Sequence, residues 1–376
     1  MSARTLTILK RVLPAVLVVA VVCVGIALLL WDGYEAPPMA YEGSSEDLKE
    51  TVIVPTLDTP MPKGKNVIWC ASFQLAWNEF RDDVIGEPLQ ITGAQEIADR
   101  LNASPITADV LDPDSHYAAA GYVKDGVVEQ IGKEMAARFP DVPTTEFDVD
   151  DPDLVAVMYA YLTANVKFTH AFYEQADELM FGEVPVTSFG ISESNRGAPA
   201  RLREQIEVLY YSGDPYGPPS PDDEFAIDPC TLTEPYQIIL ARIEPKASLA
   251  ETLADLNATL VEPTSSSFLK GEVLLIPNMH WKVLHHFGEL EGAEKLLQNE
   301  GHTDHWLEEL QQRIELRLDK SGAELQSESR GFMMKSAGGG RRFVFDRPFL
   351  IVMKKRDTER PFFVMWVENA ELLCKP

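Results

Sequence analysis

Phe343-Val-Phe-Asp-Arg-Pro-Phe-Leu-Ile-Val-Met353 follows a polar, glycine-rich stretch and leads into a second apolar run near the C-terminus. Two such runs in succession predict a hairpin of buried strands. Upstream, Ile314, Leu316 and Leu318 alternate with Glu315 and Arg317, the period-two pattern of a half-buried strand. Asp319-Lys-Ser-Gly322 stops that strand. From Ala323 to Gly340 large apolar residues are few, and the stretch closes with Gly338-Gly-Gly340, so it reads as a long surface loop between two strands. Loops beyond about 12 to 15 residues without structure of their own are uncommon and usually functional.

This end of the chain resembles the serpin family. The family signature asks for an apolar residue, an aromatic or apolar residue two further on, Asp or Asn, a basic residue, Pro and Phe, then an apolar run. Phe343, Phe345, Asp346, Arg347, Pro348, Phe349, Leu350, Ile351 and Met353 fill every position. Asp319-Lys-Ser-Gly-Ala-Glu324 is similar to the hinge of a serpin reactive-centre loop, and Gly322 stands 26 residues before Pro348, close to the family spacing. The resemblance implies an α+β fold of mixed β-sheets with surrounding helices and an exposed reactive-centre loop. It places a loop hinge at Gly322, Ala323, Glu324, Leu325, Gln326 and Ser327, and a reactive-centre bond at Lys335-Ser336 or Ser336-Ala337. In that family a protease cuts the loop, which then inserts as a new central strand and carries the acylated protease away.

Other segments fall in family order. Asn66-Val-Ile-Trp-Cys70 resembles an early buried strand, with Phe73, Trp77, Phe80 and Val84 near helical spacing after it. Val157 to Thr163, followed by Asn165, Phe168 and Phe172, resembles the strand beside which the loop would insert, and Glu234 to Ile243 and Val273 to Pro277 read as further strands. The departures are specific too. About forty residues fewer than the family spends lie between Asn66 and Val157, so a helix or two and an edge strand are expected to be missing. Cys70 and Ala71 stand where Ser and Pro are usual, and Met365 stands in place of a glycine.

Residues 12 to 31 form a twenty-residue apolar run after Arg4, Lys10 and Arg11. At about 1.5 Å per residue it spans roughly 30 Å, the thickness of a bilayer core. Positive charge before it and no small-x-small site after it predict an uncleaved, single-pass transmembrane helix with the C-terminal domain outside the cytoplasm, periplasmic or extracellular. The expected organisation is a cytoplasmic 1–11, a span at 12–31, a proline-rich linker at 32–65 and a serpin-like domain at 66–376.

With 33 Lys and Arg against 59 Asp and Glu, the net charge is −26, which repels phosphate backbones and argues against nucleic-acid binding. An apolar share of 45% supports a full core without staples. Cys23 lies in the span, so Cys70, Cys230 and Cys374 allow one bridge and one free thiol. Gly213 to Asp223, rich in proline, reads as a surface loop between strands.

No Gly-x-Ser-x-Gly, His-Glu-x-x-His or phosphate-cradling loop occurs, so no catalytic residue, metal or cofactor is assigned. His302 and His305 have the spacing to share a helix face, and Asp148 to Asp153 starts like a calcium loop but lacks its glycine and terminal acid. The expected role is inhibition of a serine-type or cysteine-type endopeptidase by a monomer, with the target protease as its partner. Two alternatives stand beside it. Leu325-Gln-Ser-Glu328 replaces the small-residue run usual after an inhibitory hinge, which favours a non-inhibitory binding or scaffold domain. An extracytoplasmic hydrolase using acids or histidines is the other.

Overall fold

The computed structural model describes residues 37–140, 153–164, 166–195, 197–214, 220–261, 265–322 and 340–376, together with Val142 and Phe147. Among them nineteen strands are numbered in chain order. The largest sheet has eight, in the order β13 (Ser266–Ser267), β10 (Glu207–Tyr211), β11 (Phe225–Asp228), β12 (Tyr236–Arg242), β18 (Phe349–Lys355), β19 (Pro361–Val367), β3 (Asn66–Cys70) and β2 (Thr51–Ile53). Its centre is the C-terminal hairpin, with Phe349 opposite Val367 and Ile351 opposite Met365. Every residue of β19 and the first five of β18 are buried, which is why they read as continuous apolar runs rather than alternating ones.

A five-stranded sheet runs β1 (Tyr41–Ser44), β15 (Met279–His286), β16 (Trp306–Leu318), β5 (Val155–Ala164) and β4 (His116–Tyr122). A four-stranded sheet runs β17 (Arg342–Val344), β14 (Val273–Pro277), β9 (Ser188–Ile191) and β6 (Tyr173–Glu174), and β7 (Leu179–Phe181) pairs with β8 (Val184–Val186).

Helix α1 (Ala71–Glu79) follows β3 directly and touches β4, β5 and β16 of the five-stranded sheet and β19 of the eight-stranded one. It is therefore a buried layer between two sheets, and its residues from Ala71 to Trp77 are all buried. Phe73 stacks on Phe287 with ring centroids 3.8 Å apart. Helix α2 is Gln95–Asn102. On the other face of the five-stranded sheet, α3 (Val127–Arg138) covers β4 and β5, with Val127, Ile131 and Met135 against Tyr117, Ala119, Val157, Tyr159 and Tyr161. Helix α4 is Ala200–Glu204; α5 (Leu249–Leu260) starts at Ser248, whose Oγ accepts from the Glu251 N–H at 3.2 Å.

The signature residues are packing residues. Phe343, Phe345 and Phe349 are fully buried, and Phe225 meets the first two rings at 5.3 and 5.1 Å. Each such side chain contributes about 1.5 to 3 kcal/mol by burial. Arg347 donates to the Pro221 carbonyl at 2.9 Å, and Asp346 lies 3.6 Å from Arg242.

Three expectations change. Within 32–65, read as a linker, β1 and β2 are strands of the two larger sheets. Cys70, Cys230 and Cys374 are buried and free, because other groups occupy the thiols: Cys70 Sγ lies 3.2 Å from Ser72 Oγ, and Cys230 Sγ accepts from the Ile238 N–H at 3.4 Å. His302 and His305 lie in turns ahead of β16, not on a helix, where Gly301 takes φ +84°. Among the described residues no helix is long and apolar enough to cross a membrane, and the run at 12–31 lies outside them.

Candidate functional site

β5 and β16 are direct parallel neighbours, in register from Val155 opposite Trp306 to Ala164 opposite Leu316, with one irregularity between Leu307 and Glu309. β4 and β15 flank them in antiparallel pairing. Leu310, Gln312, Ile314 and Leu316 face the core, as do Ala156, Met158, Ala160 and Leu162 of β5. Glu309, Gln311, Arg313, Glu315 and Arg317 alternate with them and belong to the opposite face. A chain that turned back from the end of β16 would run antiparallel to both strands, and antiparallel ladders are slightly the more stable per residue.

A tight turn closes the upper end of this seam. Asp319, fully buried, accepts from the Ser321 N–H at 2.8 Å, the Ser321 hydroxyl at 2.9 Å and Arg317 Nε at 2.7 Å. Gly322 donates its N–H to the Asp319 carbonyl at 3.0 Å and takes φ +80°. A Cβ there would stand 2.3 Å from Phe168 N and 2.5 Å from the Val166 carbonyl oxygen, so only glycine fits. The turn is fastened to the chain beyond β5, since Phe168 N–H donates to Ser321 O at 3.0 Å and Phe172 N–H to Lys320 O at 2.7 Å. Lys320 also lies 3.9 Å from Glu174, whose carboxyl burial holds above the usual range.

Polar ties lie behind the seam. Gln312, 1% exposed, donates through Nε2 to Ser72 Oγ at 3.0 Å and to the Cys70 carbonyl at 3.2 Å, which joins β16 to the start of α1. Its cross-strand neighbour His285 lies 2.7 Å through Nδ1 from Ser45 Oγ. Burial, then His286, pushes the His285 imidazole down to about 4. A base that weak does not activate a serine near neutrality, so this pair lends the hydrolase reading no support.

It does make stability pH-dependent. The folded pKa lies below the ordinary 6.5, so on acidification the unfolded chain takes up the proton first and stability falls between about pH 6.5 and 4. The loss reaches at most about 3 kcal/mol. Melting curves of the full chain across that window are expected to show the decline, and His285→Gln is expected to flatten it.

Of the hinge residues read from the sequence, Gly322 is in place at the end of the turn; Ala323, Glu324, Leu325, Gln326 and Ser327 lie outside the described residues, as do Lys335, Ser336 and Ala337. The described chain resumes at Gly340, and Arg341 is held by Glu272 at 2.5 Å and Ser266 Oγ at 2.7 Å. Asp153 is the one described residue of the acidic run from Asp148. Among the described residues no group of three or more metal-ligating side chains occurs. Gln312 was missed, although a polar residue in the series Leu310, Gln312, Ile314, Leu316 was a readable break in the apolar face.

Neither protein-family models nor curated proteins match the chain. Among solved structures it is similar to human glycosylated kallistatin, at 12% identity over 81% of this chain and 92% of that one, with a TM-score of 0.48. It is also similar to the mouse protein-Z dependent protease inhibitor, at 12%, 81%, 91% and 0.48. The thermophilic serpin tengpin in its native state matches at 9%, 82%, 90% and 0.48.

Proposed function

We propose that this chain is a divergent, serpin-like protein that inhibits a serine-type or cysteine-type endopeptidase by taking its own cleaved loop into the β5/β16 seam. Residues 12–31 hold it in a membrane with residues 32–376 outside the cytoplasm. The observation that carries the reading is the seam itself: two parallel strands with no third strand between them, and a glycine turn at the end where the loop departs.

Register adds to it. Asp319 and Gly322 already bridge in antiparallel fashion, and continuing that pairing sets Leu325 opposite Leu316, Ser327 opposite Ile314 and Ser329 opposite Gln312, all toward the core. The outward row then sets Glu324 opposite Arg317 and Glu328 opposite Arg313, whose buried Nε has no hydrogen-bond partner among the described residues. Opposite charges in such cross-strand pairs contribute about 0.2 to 1 kcal/mol each. At the far end Lys335 comes to about the row of Trp306. A lysine before the cut bond suits a protease with an acidic specificity pocket.

The test is incubation of the full chain with a trypsin-like and a chymotrypsin-like protease. A covalent adduct that survives denaturant, formed with the trypsin-like enzyme and lost in Lys335→Ala, is expected. Clean cleavage without an adduct would instead favour the non-inhibitory binding role, for which Leu325-Gln-Ser-Glu328 and the backbone bonds at Phe168 and Phe172 argue.

A further inference from the structure

We infer that Tyr122 and His302 form a strap across the lower end of the β5/β16 seam, one that sets how far a strand can enter; the inference rests on the seam reading proposed above. Tyr122, the last residue of β4, stands opposite Ala156 of β5, and Ala156 stands opposite Leu307 of β16. These three residues share one row. Tyr122 is on the β5 side of the seam, whereas His302 belongs to the chain that becomes β16 four residues later. The phenol oxygen is 2.5 Å from His302 Nδ1, and the two rings lie nearly parallel, 5° apart in plane. Burial keeps the phenol protonated, with its pKa pushed up to about 12, so the contact is a hydrogen bond between hydroxyl and imidazole and not an ion pair.

One end of the strap is carried by β4 and the other by the chain leading into β16, on opposite sides of the seam. The Tyr122 ring packs edge-on against Phe80 at 5.9 Å. His302 N–H donates to the Asn299 carbonyl at 3.0 Å, and Asn299 is itself tied to Gln90 N, Glu87 and the Pro88 carbonyl at 2.8 to 3.0 Å. Around them stand His305, Asp304 and Asp125, with Lys124 3.3 Å from His305 Nε2 and 5.0 Å from the Tyr122 ring centroid. A strand entering the Ala156/Leu307 row moves β4 and β5 away from β16 by about 4.8 Å. No hydrogen bond spans that increase, so the strap breaks only when insertion reaches the last rows.

Tyr122→Phe keeps the ring and removes the hydroxyl; His302→Ala removes the imidazole. In the full chain both are expected to speed amide exchange at residues 155–157 and 306–308 while leaving residues around Ile314 unchanged. Both are also expected to raise the uptake rate of a synthetic peptide of residues 323–336 roughly threefold to tenfold. Wild-type exchange in the lower rows of either variant would overturn the strap, as would an effect from one variant alone. Peptide uptake by neither the wild type nor the variants would count against the seam reading instead, and amide exchange would still decide the strap.

Discussion

Gly322→Ala is expected to lower the melting temperature and to expose the Phe168 and Phe172 amides to hydrogen exchange. The left-handed conformation costs a residue with a Cβ about 1 to 2 kcal/mol by itself. Steric overlap adds more, because the new carbon would meet Phe168 N at 2.3 Å and the Val166 carbonyl oxygen at 2.5 Å, both backbone atoms that cannot rotate aside. Relief requires the turn to lift, which gives up the Ser321–Phe168 and Lys320–Phe172 bonds at about 0.5 to 1.5 kcal/mol apiece. The total is about 3 kcal/mol or more. An alanine variant with unchanged melting and unchanged exchange at those two amides would mean that the turn does not close the seam.

Nicking the folded chain after Lys335 is expected to raise the melting temperature by about 10 °C. A strand added between β5 and β16 gains some eight net hydrogen bonds, or about 4 to 12 kcal/mol. Leu325, directed at the core beside Leu316, takes back about 1 to 3 kcal/mol if it finds no room. For a domain of this size each remaining kcal/mol moves the midpoint by about 2 °C. The outer-row pairing can be separated from the rest: Arg313→Glu should reduce the rise, and Arg313→Glu combined with Glu328→Arg should restore it. A nicked chain that melts where the intact chain melts would leave the binding or scaffold role.

Much of the fold was legible because its signals are local. The alternation at Ile314, Leu316 and Leu318 and the stop at Asp319 to Gly322 mark the end of β16 and the turn where the structure has them. The apolar runs at Phe349 and Pro361 give the central hairpin for the same reason. β1 and β2 were not legible: at four and three residues inside a proline-rich stretch they are too short to carry a period, and the sheets they join supply their pairing. His302 and His305 mislead because a three-residue spacing suits a turn as well as a helix, and Gly301 with Asp304 favours the turn. The ties of Gln312 to Ser72 and of Tyr122 to His302 join residues 240 and 180 positions apart, so no local pattern announces them.

Locking the seam tests the central claim most directly. Thr163 and Glu315 are register partners across it, and Thr163→Cys with Glu315→Cys places two cysteines at neighbouring-strand distance, within disulfide reach. With the bridge closed, the nicked full chain is predicted to melt where the intact chain does, and with the bridge reduced the rise of about 10 °C should return. An equal rise in both states would contradict the account, because the stabilisation would then come from somewhere other than a strand between β5 and β16.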